Sequence, residues 1–288
     1  MVEFSRAGVK FSPNGIELDG YLYRPSGSGP HPCVVMSHGL GALKDMSIDA
    51  SAERFAAAGF ACLLYDHRNF GPSGGEVRQE IDPWDQVKDM RGAITFAQTL
   101  DGIAPERVAL WGTSYSGGEA IVVGAVDRRV KAVIAQVPFI SGSRTLERMF
   151  PVALFPAVLQ HVYADKLARG RGAAPACQPI SPEGSEGNEW AKRAGAGTLY
   201  RNEITVQTVD HTLYFEPIDF IHRVAPTPLL MIVATRDTRA PLDLQLEAFG
   251  KAREPKELVW LEGGHYDPYE VNHEKASNAA IDFLMRRV

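Results

Sequence analysis

Three polar residues, each following an apolar run, could together carry acyl transfer: Ser114, Asp237 and His265. A serine hydroxyl is a weak nucleophile. It needs a base to take its proton, an acid to orient that base, and N–H donors for the oxyanion that forms. Ser114 lies in Gly112-Thr113-Ser114-Tyr115-Ser116-Gly117-Gly118, between the apolar run 108–111 and a small-residue stretch, 118–123, that reads as a helix. A strand reversing sharply into a helix needs small residues about the turn, and it leaves the apex side chain exposed above the sheet edge. The bland alternative is a serine that only caps the helix, a role open to Thr113 and Ser116 as well.

Of the eight histidines, only His265 follows directly on a late apolar run, in Leu261-Glu262-Gly263-Gly264-His265-Tyr266-Asp267. Its two glycines let the loop turn back over the sheet. Asp237 follows the run 229–234, where a carboxylate can reach the histidine of the next loop. Asp243 is the local rival, but it comes after Pro241 and would more naturally open a helix. Glu262 and Asp267 sit too close to His265 in sequence to be favoured. The oxyanion donors are expected to be the backbone N–H groups of Tyr115, at a helix start where the dipole favours negative charge, and of Leu40, after His38-Gly39. His38 is read as a brace for that loop. Asp66 and Arg68 are read as holding their own glycine-rich loop.

These residues need a scaffold that brings strand ends together. Residues 2–24 read as an antiparallel pair about the turn Ser12-Pro13-Asn14-Gly15. Continuous apolar runs at 33–36, 60–65, 108–111, 130–137, 229–234 and 257–261 read as buried strands. Helices alternate with them. One is opened by Asp82 and Pro83, and the last is expected over 270–284. Such alternation gives a mostly parallel sheet covered on both faces, with its site at the carboxyl ends of the strands. Residues 140–224 break the rhythm and are too long for a plain connection. They hold an apolar stretch over 149–162 that reads as a helix, then a Gly/Pro/Ala stretch at 170–188. We expect 1–139 and 225–288 to form the core and 140–224 an inserted, largely helical cap over the site.

The chain of 288 residues is 45% hydrophobic, enough for one large α/β domain, and its formal net charge is -5 without long runs of like charge. Nucleic acid and membrane are therefore not expected as partners. The charged N-terminus argues against an export signal, and Cys33, Cys62 and Cys177 fit no metal site. A cytoplasmic protein with reduced cysteines, no cofactor and no metal is expected. The expected partner is a small-molecule acyl substrate, and a homodimer stays open.

Taken together, the motifs resemble the α/β-hydrolase superfamily over nearly the whole chain. They are Ser37-His38-Gly39, Asp66-His67-Arg68 with Gly71 and Ser73, Gly112-Thr113-Ser114-Tyr115, Asp237 and Gly264-His265, with the triad in the superfamily's chain order. Two departures stand out: Ser116 where the elbow usually has a second glycine, and Asn69 where the Asp-x-Arg-Gly turn has its glycine. Within the superfamily, residues 112–118, Arg201-Asn202-Glu203-Ile204-Thr205 and Gly264-His265-Tyr266-Asp267-Pro268-Tyr269 are similar to the fungal polyketide transferase and thiohydrolase group and its bacterial relatives. Residues 112–118 are also similar to X-Pro dipeptidyl-peptidase-like hydrolases. The resemblance implies an α/β-hydrolase fold and a serine hydrolase acting on an ester or thioester. Acyl transfer, C–C or peptide bond hydrolysis on the same triad, and a non-catalytic ligand-binding relative are the alternatives.

Overall fold

A computed structural model describes residues 2–150 and 152–288. The alternating N-terminal residues form an antiparallel pair, β1 (Phe4–Phe11) and β2 (Leu18–Pro25). The continuous apolar runs become β3 (His31–Ser37), β4 (Ala61–Tyr65), β5 (Ile103–Thr113) and β6 (Val130–Gln136). Short strands β7 (Cys177–Gln178) and β8 (Ile204–Thr205) pair apart from the main sheet, which β9 (Leu229–Ala234) and β10 (Lys256–Leu261) complete. The main sheet has the order β1-β2-β4-β3-β5-β6-β9-β10 and is parallel from β4 onward.

The crossover helices are α1 (Asp49–Ala57), α2 (Pro83–Gln98) and α3 (Tyr115–Val126). As expected, the Asp82 side chain caps α2, accepting from Trp84 N at 2.9 Å. Among the described residues, four helices leave the sheet between β6 and β9: α4 (Gly142–Met149), α5 (Phe155–Gly170), α6 (Glu186–Ala194) and α7 (Gln207–Leu213). Then α8 (Leu242–Lys251) and α9 (His273–Arg287) return to the sheet. Successive strand residues point to opposite faces. Val35, Leu63, Leu110 and Met231 pack under α2 and α3, while Val34, Leu64, Ala109 and Ile232 pack with Phe55 of α1 and Phe283 of α9. Burial on both faces is why these strands read as unbroken apolar runs.

The larger departures from the sequence reading are these. Strand β5 begins at Ile103, five residues before its apolar run, because Pro105, Glu106 and Arg107 extend it with exposed side chains. Helix α3 begins at Tyr115 rather than Gly118, since the chain reverses within one residue. Helix α9 begins at His273, after a short 3-10 turn over Asp267–Tyr269. The helix expected over 149–162 is two helices, because Phe150 is extended (φ −114°, ψ 124°) and Pro156 opens α5. Residue 151 of that stretch lies outside the described residues.

Candidate active site

Ser114 is the reversal point between β5 and α3. Its backbone adopts φ 55°, ψ −119°, a conformation that costs a residue with a Cβ about 1–3 kcal/mol. The surroundings hold it there. Ser114 N donates to Gln136 O at 2.9 Å, and Ser114 O accepts from Gly117 N at 3.0 Å and Phe139 N at 2.8 Å. A Cβ on Gly117 would stand 3.0 Å from Pro138, and one on Gly118 would meet the Phe139 carbonyl, so small residues let α3 pack close to the end of β6. Val137, on that end, also has positive φ, at 38°. Ser116 explains its own departure from the usual glycine. Its hydroxyl donates to Ser37 O at 2.8 Å and accepts from Thr113 N at 3.0 Å, tying β5 to β3 beneath the turn.

The three residues singled out in the sequence converge at one edge of the sheet. His265 Nε2 lies 2.9 Å from Ser114 Oγ, and His265 Nδ1 lies 2.8 Å from Asp237 Oδ2. With Asp237 as acceptor, Nδ1 carries the proton and Nε2 is left to accept from the serine. Asp237 is buried and saturated with donors. Its Oδ1 accepts from Arg239 N and Ala240 N, each at 2.9 Å, and its Oδ2 also accepts from Gln245 Nε2 at 3.1 Å. Nothing in the local sequence marks Gln245 for this role. The rival acids lie elsewhere: Asp243 pairs with Arg148 at 2.6 Å, and Glu262 is solvent-exposed. Asp267 Oδ2 accepts from Gly264 N at 2.7 Å and so braces the histidine loop.

The loop after β3 closes over Ser114. A Cβ on Gly39 would stand 2.9 Å from Ser114 Cβ, so glycine lets the backbone of 38–40 reach the serine. Among the described residues neither Leu40 N nor Tyr115 N donates a hydrogen bond, and both residues line the cavity at Ser114. His38 braces the loop through Nδ1, which donates to Gly39 O at 3.0 Å. Asp66 and Arg68 do not act as the pair read from the sequence. Asp66 anchors the loop after β3, accepting from Lys44 N at 2.7 Å and pairing with Lys44 Nζ at 2.6 Å. Burial pushes the Asp66 carboxyl up, but hydrogen bonding and charge from His38 and Lys44 outweigh it and hold the group below the usual carboxylate range. Arg68 instead forks onto Asp89 of α2, both contacts at 2.6 Å. Asn69 replaces glycine at φ 70°, a conformation asparagine tolerates.

Deeper still, His67 Nε2 donates to His38 O at 3.3 Å and lies 3.6 Å from Glu119 Oε2. Glu119 is fully buried and, among the described residues, neither of its oxygens has a hydrogen-bond partner; burial pushes its carboxyl well up. Burial and the neighbouring His38 push His67 well down, so the imidazole stays neutral.

A cavity of about 410 Å³ opens over Ser114. Its floor comes from the loops above, and most of its walls from residues between β6 and β9. Leu146, Met149 and Phe150 face it, whereas Val152, Leu154 and Leu167 are exposed to solvent. The apolar character read over 149–162 is thus divided between lining and outer surface. Sequence reading did not assign Trp190, Arg239 or Tyr266 to the site, yet all three line it. The signals that pointed there are the adjacency of Arg239 to Asp237, the place of Tyr266 in the Gly264–Tyr269 motif and that of Trp190 within 140–224. Among the described residues there is no group of side chains suited to a metal ion, and no helix long and apolar enough to cross a membrane.

This arrangement is that of an α/β hydrolase. The solved structure of the α/β hydrolase GrgF from Penicillium sp. sh18 superimposes with TM-score 0.88 at 31% identity, covering 98% of this chain and 99% of that one. Residues 14–267 match the model of the X-Pro dipeptidyl-peptidase (S15) family, and the chain belongs to that α/β-hydrolase family. Similar proteins include the quorum-quenching protein AidA of Acinetobacter baumannii, 34% identical over 97% of this chain and 94% of that protein. The thiohydrolase aneE of Aspergillus aculeatus is 32% identical over 86% of this chain and 82% of its own length.

Proposed function

We propose that the protein is a serine hydrolase that cleaves an ester or thioester through an acyl-enzyme. The observation that carries this reading is the unbroken chain from Ser114 Oγ through His265 to Asp237, at 2.9 and 2.8 Å. Ser114 Oγ attacks the carbonyl carbon as His265 Nε2 takes its proton, and Asp237 stabilises the imidazolium. The oxyanion is held by the N–H groups of Leu40 and Tyr115. As the intermediate collapses, His265 gives its proton to the departing alcohol or thiol. Water, deprotonated by His265, then releases the acid and restores the serine. Residues 140–224 act as a cap that shapes a pocket for a hydrophobic acyl chain. The thiohydrolase among the relatives supports a thioester.

A second reading is acyl transfer to an alcohol, favoured by a relative from Penicillium sp named as a polyketide transferase, 32% identical over 98% of this chain. It uses the same residues and differs only in the acceptor. A fluorophosphonate probe is expected to label the wild type and not Ser114→Ala; labelling that persists in the variant would sink the serine reading. Product analysis of acyl nitrophenyl esters and acyl thioesters, with and without added alcohols, separates hydrolysis from transfer.

A further inference from the structure

Arg239 lines the cavity, two residues from Asp237, and among the described residues no carboxylate pairs with its guanidinium. Instead Nη2 donates to the neutral hydroxyl of buried Ser181 at 3.1 Å, with Tyr266 close by. Ser181 is itself clamped: its N donates to Asn202 Oδ1 at 3.0 Å and its O accepts from Asn202 Nδ2 at 2.8 Å. Asn202 belongs to the Arg201–Thr205 segment singled out in the sequence, to which the triad assigns no role. Gly187 lets α6 close on the cluster, since a Cβ there would stand 2.6 Å from Ser181 Oγ and collide with the Tyr266 hydroxyl. One turn along α6, Trp190 stacks on Tyr266 with centroids 5.0 Å apart, and its indole N–H is buried without an acceptor.

Two donors beside Tyr266 therefore stand out. One is a guanidinium with no counter-charge and the other a buried indole N–H. The guanidinium is half-buried and meets only a neutral hydroxyl, and an anionic acceptor would make that bond the stronger, charge-assisted kind. The cavity walls around them are mostly apolar and supply none. Building on the serine-hydrolase reading, we infer that Arg239, seated by Ser181 and Asn202, is a subsite for an anionic group of the substrate, a carboxylate or a phosphate. A carboxylate would belong to the acyl chain or its ester partner, and a phosphate to the carrier arm of a thioester. Held there, the anion fixes how far the scissile carbonyl lies from Ser114.

The test compares kcat/KM within two matched pairs: the p-nitrophenyl monoester of octanedioic acid against p-nitrophenyl octanoate, and octanoyl-coenzyme A against octanoyl-N-acetylcysteamine. The wild type is expected to prefer the anionic member of one pair by ~10-fold or more, the scale of a hydrogen bond to a charged group. The first pair reports a carboxylate and the second a phosphate. Arg239→Met is expected to bring that ratio near one, and Arg239→Lys, a point charge without the fork, to restore part of it. Because the ratio is read within each variant, a general loss of activity cancels. A ratio near one in the wild type for both pairs, or one that survives in Arg239→Met, overturns the proposal. Should turnover be too slow to measure, calorimetric titration with octanedioate against octanamide, and with pantetheine 4'-phosphate against pantetheine, reads the same preference. Failure of the serine reading shows separately, as turnover of the neutral substrates by Ser114→Ala.

Discussion

Helices α3 and α5 make opposite use of apolar sequence. Every residue of α3 from Tyr115 to Ala125 is buried, between the sheet and its neighbours. Of the sixteen residues of α5, Val162 and Asp165 alone are buried, and Leu167 is 63% exposed. Glycines set the difference. A Cβ on Gly112 would strike the Ser116 carbonyl and one on Gly124 would strike Val133, so α3 lies as close to the sheet as a helix can. Helix α5 is held from one side, by Gln207 donating to Val162 O at 3.0 Å and to Asp165 Oδ2 at 2.8 Å. Packing from all sides keeps Ser114 in its unfavourable backbone conformation. The outer wall carries no such constraint, so the turn at Ser114 and the outer cavity wall are regions of very different tolerance.

The contrast can be broken most severely at the triad. Asp237→Asn leaves the packing of α3 intact but offers His265 the wrong partner, and a ~10⁴-fold fall in kcat is expected. Steady-state kinetics against a chromogenic ester read it, with a thermal melt to show that the fold survives. Gly39→Ala acts next, pushing the loop after β3 off Ser114. A loss of ~10²–10³ in kcat is expected, the scale of one lost oxyanion donor; a change in KM alone would contradict that placement.

Stability separates the two helices more finely. Ile121→Ala on α3 is expected to cost about 2–5 kcal/mol in a urea titration, and Leu167→Ser on α5 less than about 0.5 kcal/mol. Comparable losses at the two sites would remove the distinction.

Glu119→Gln tests the least comfortable group in α3. The unfolded chain ionises this carboxyl near its ordinary value of 4.5, while burial withholds ionisation in the fold. Its contribution to stability is therefore full below about pH 4.5 and is lost as pH rises through the raised folded value. The glutamine variant should thus be the more stable at pH 8, by roughly 1–3 kcal/mol, with the gap closing toward pH 4.5. His67 has the opposite sign, its contribution being present above its ordinary 6.5 and lost as pH falls. Destabilisation of Glu119→Gln at pH 8 would mean that the carboxylate has a partner.

Much of the scaffold was legible because a parallel sheet buried on both faces writes its strands as unbroken apolar runs. Ser114 stood out through the glycines the reversal needs. Asp237 and His265 stood out because they follow such runs, and parallel strands bring their carboxyl ends to one edge. The Asp66 partnership was misread. Its bond to Lys44, 22 residues earlier, joins two loops that no local periodicity connects. The break in the 149–162 stretch was equally hidden, since apolar residues continue across it.

The sequence by itself determined the alternation of strands and helices outside 140–224, the turn at Ser114 and the polar residues that follow the neighbouring strands, because backbone periodicity and glycine placement are local properties. Only the tertiary structure decided which apolar side chains line the cavity and which meet water, that Gln245 holds Asp237, and that Arg239 faces the site without a carboxylate. Those outcomes depend on which surfaces meet across the fold, and Leu146 in the wall differs from Leu167 outside it in neighbours alone.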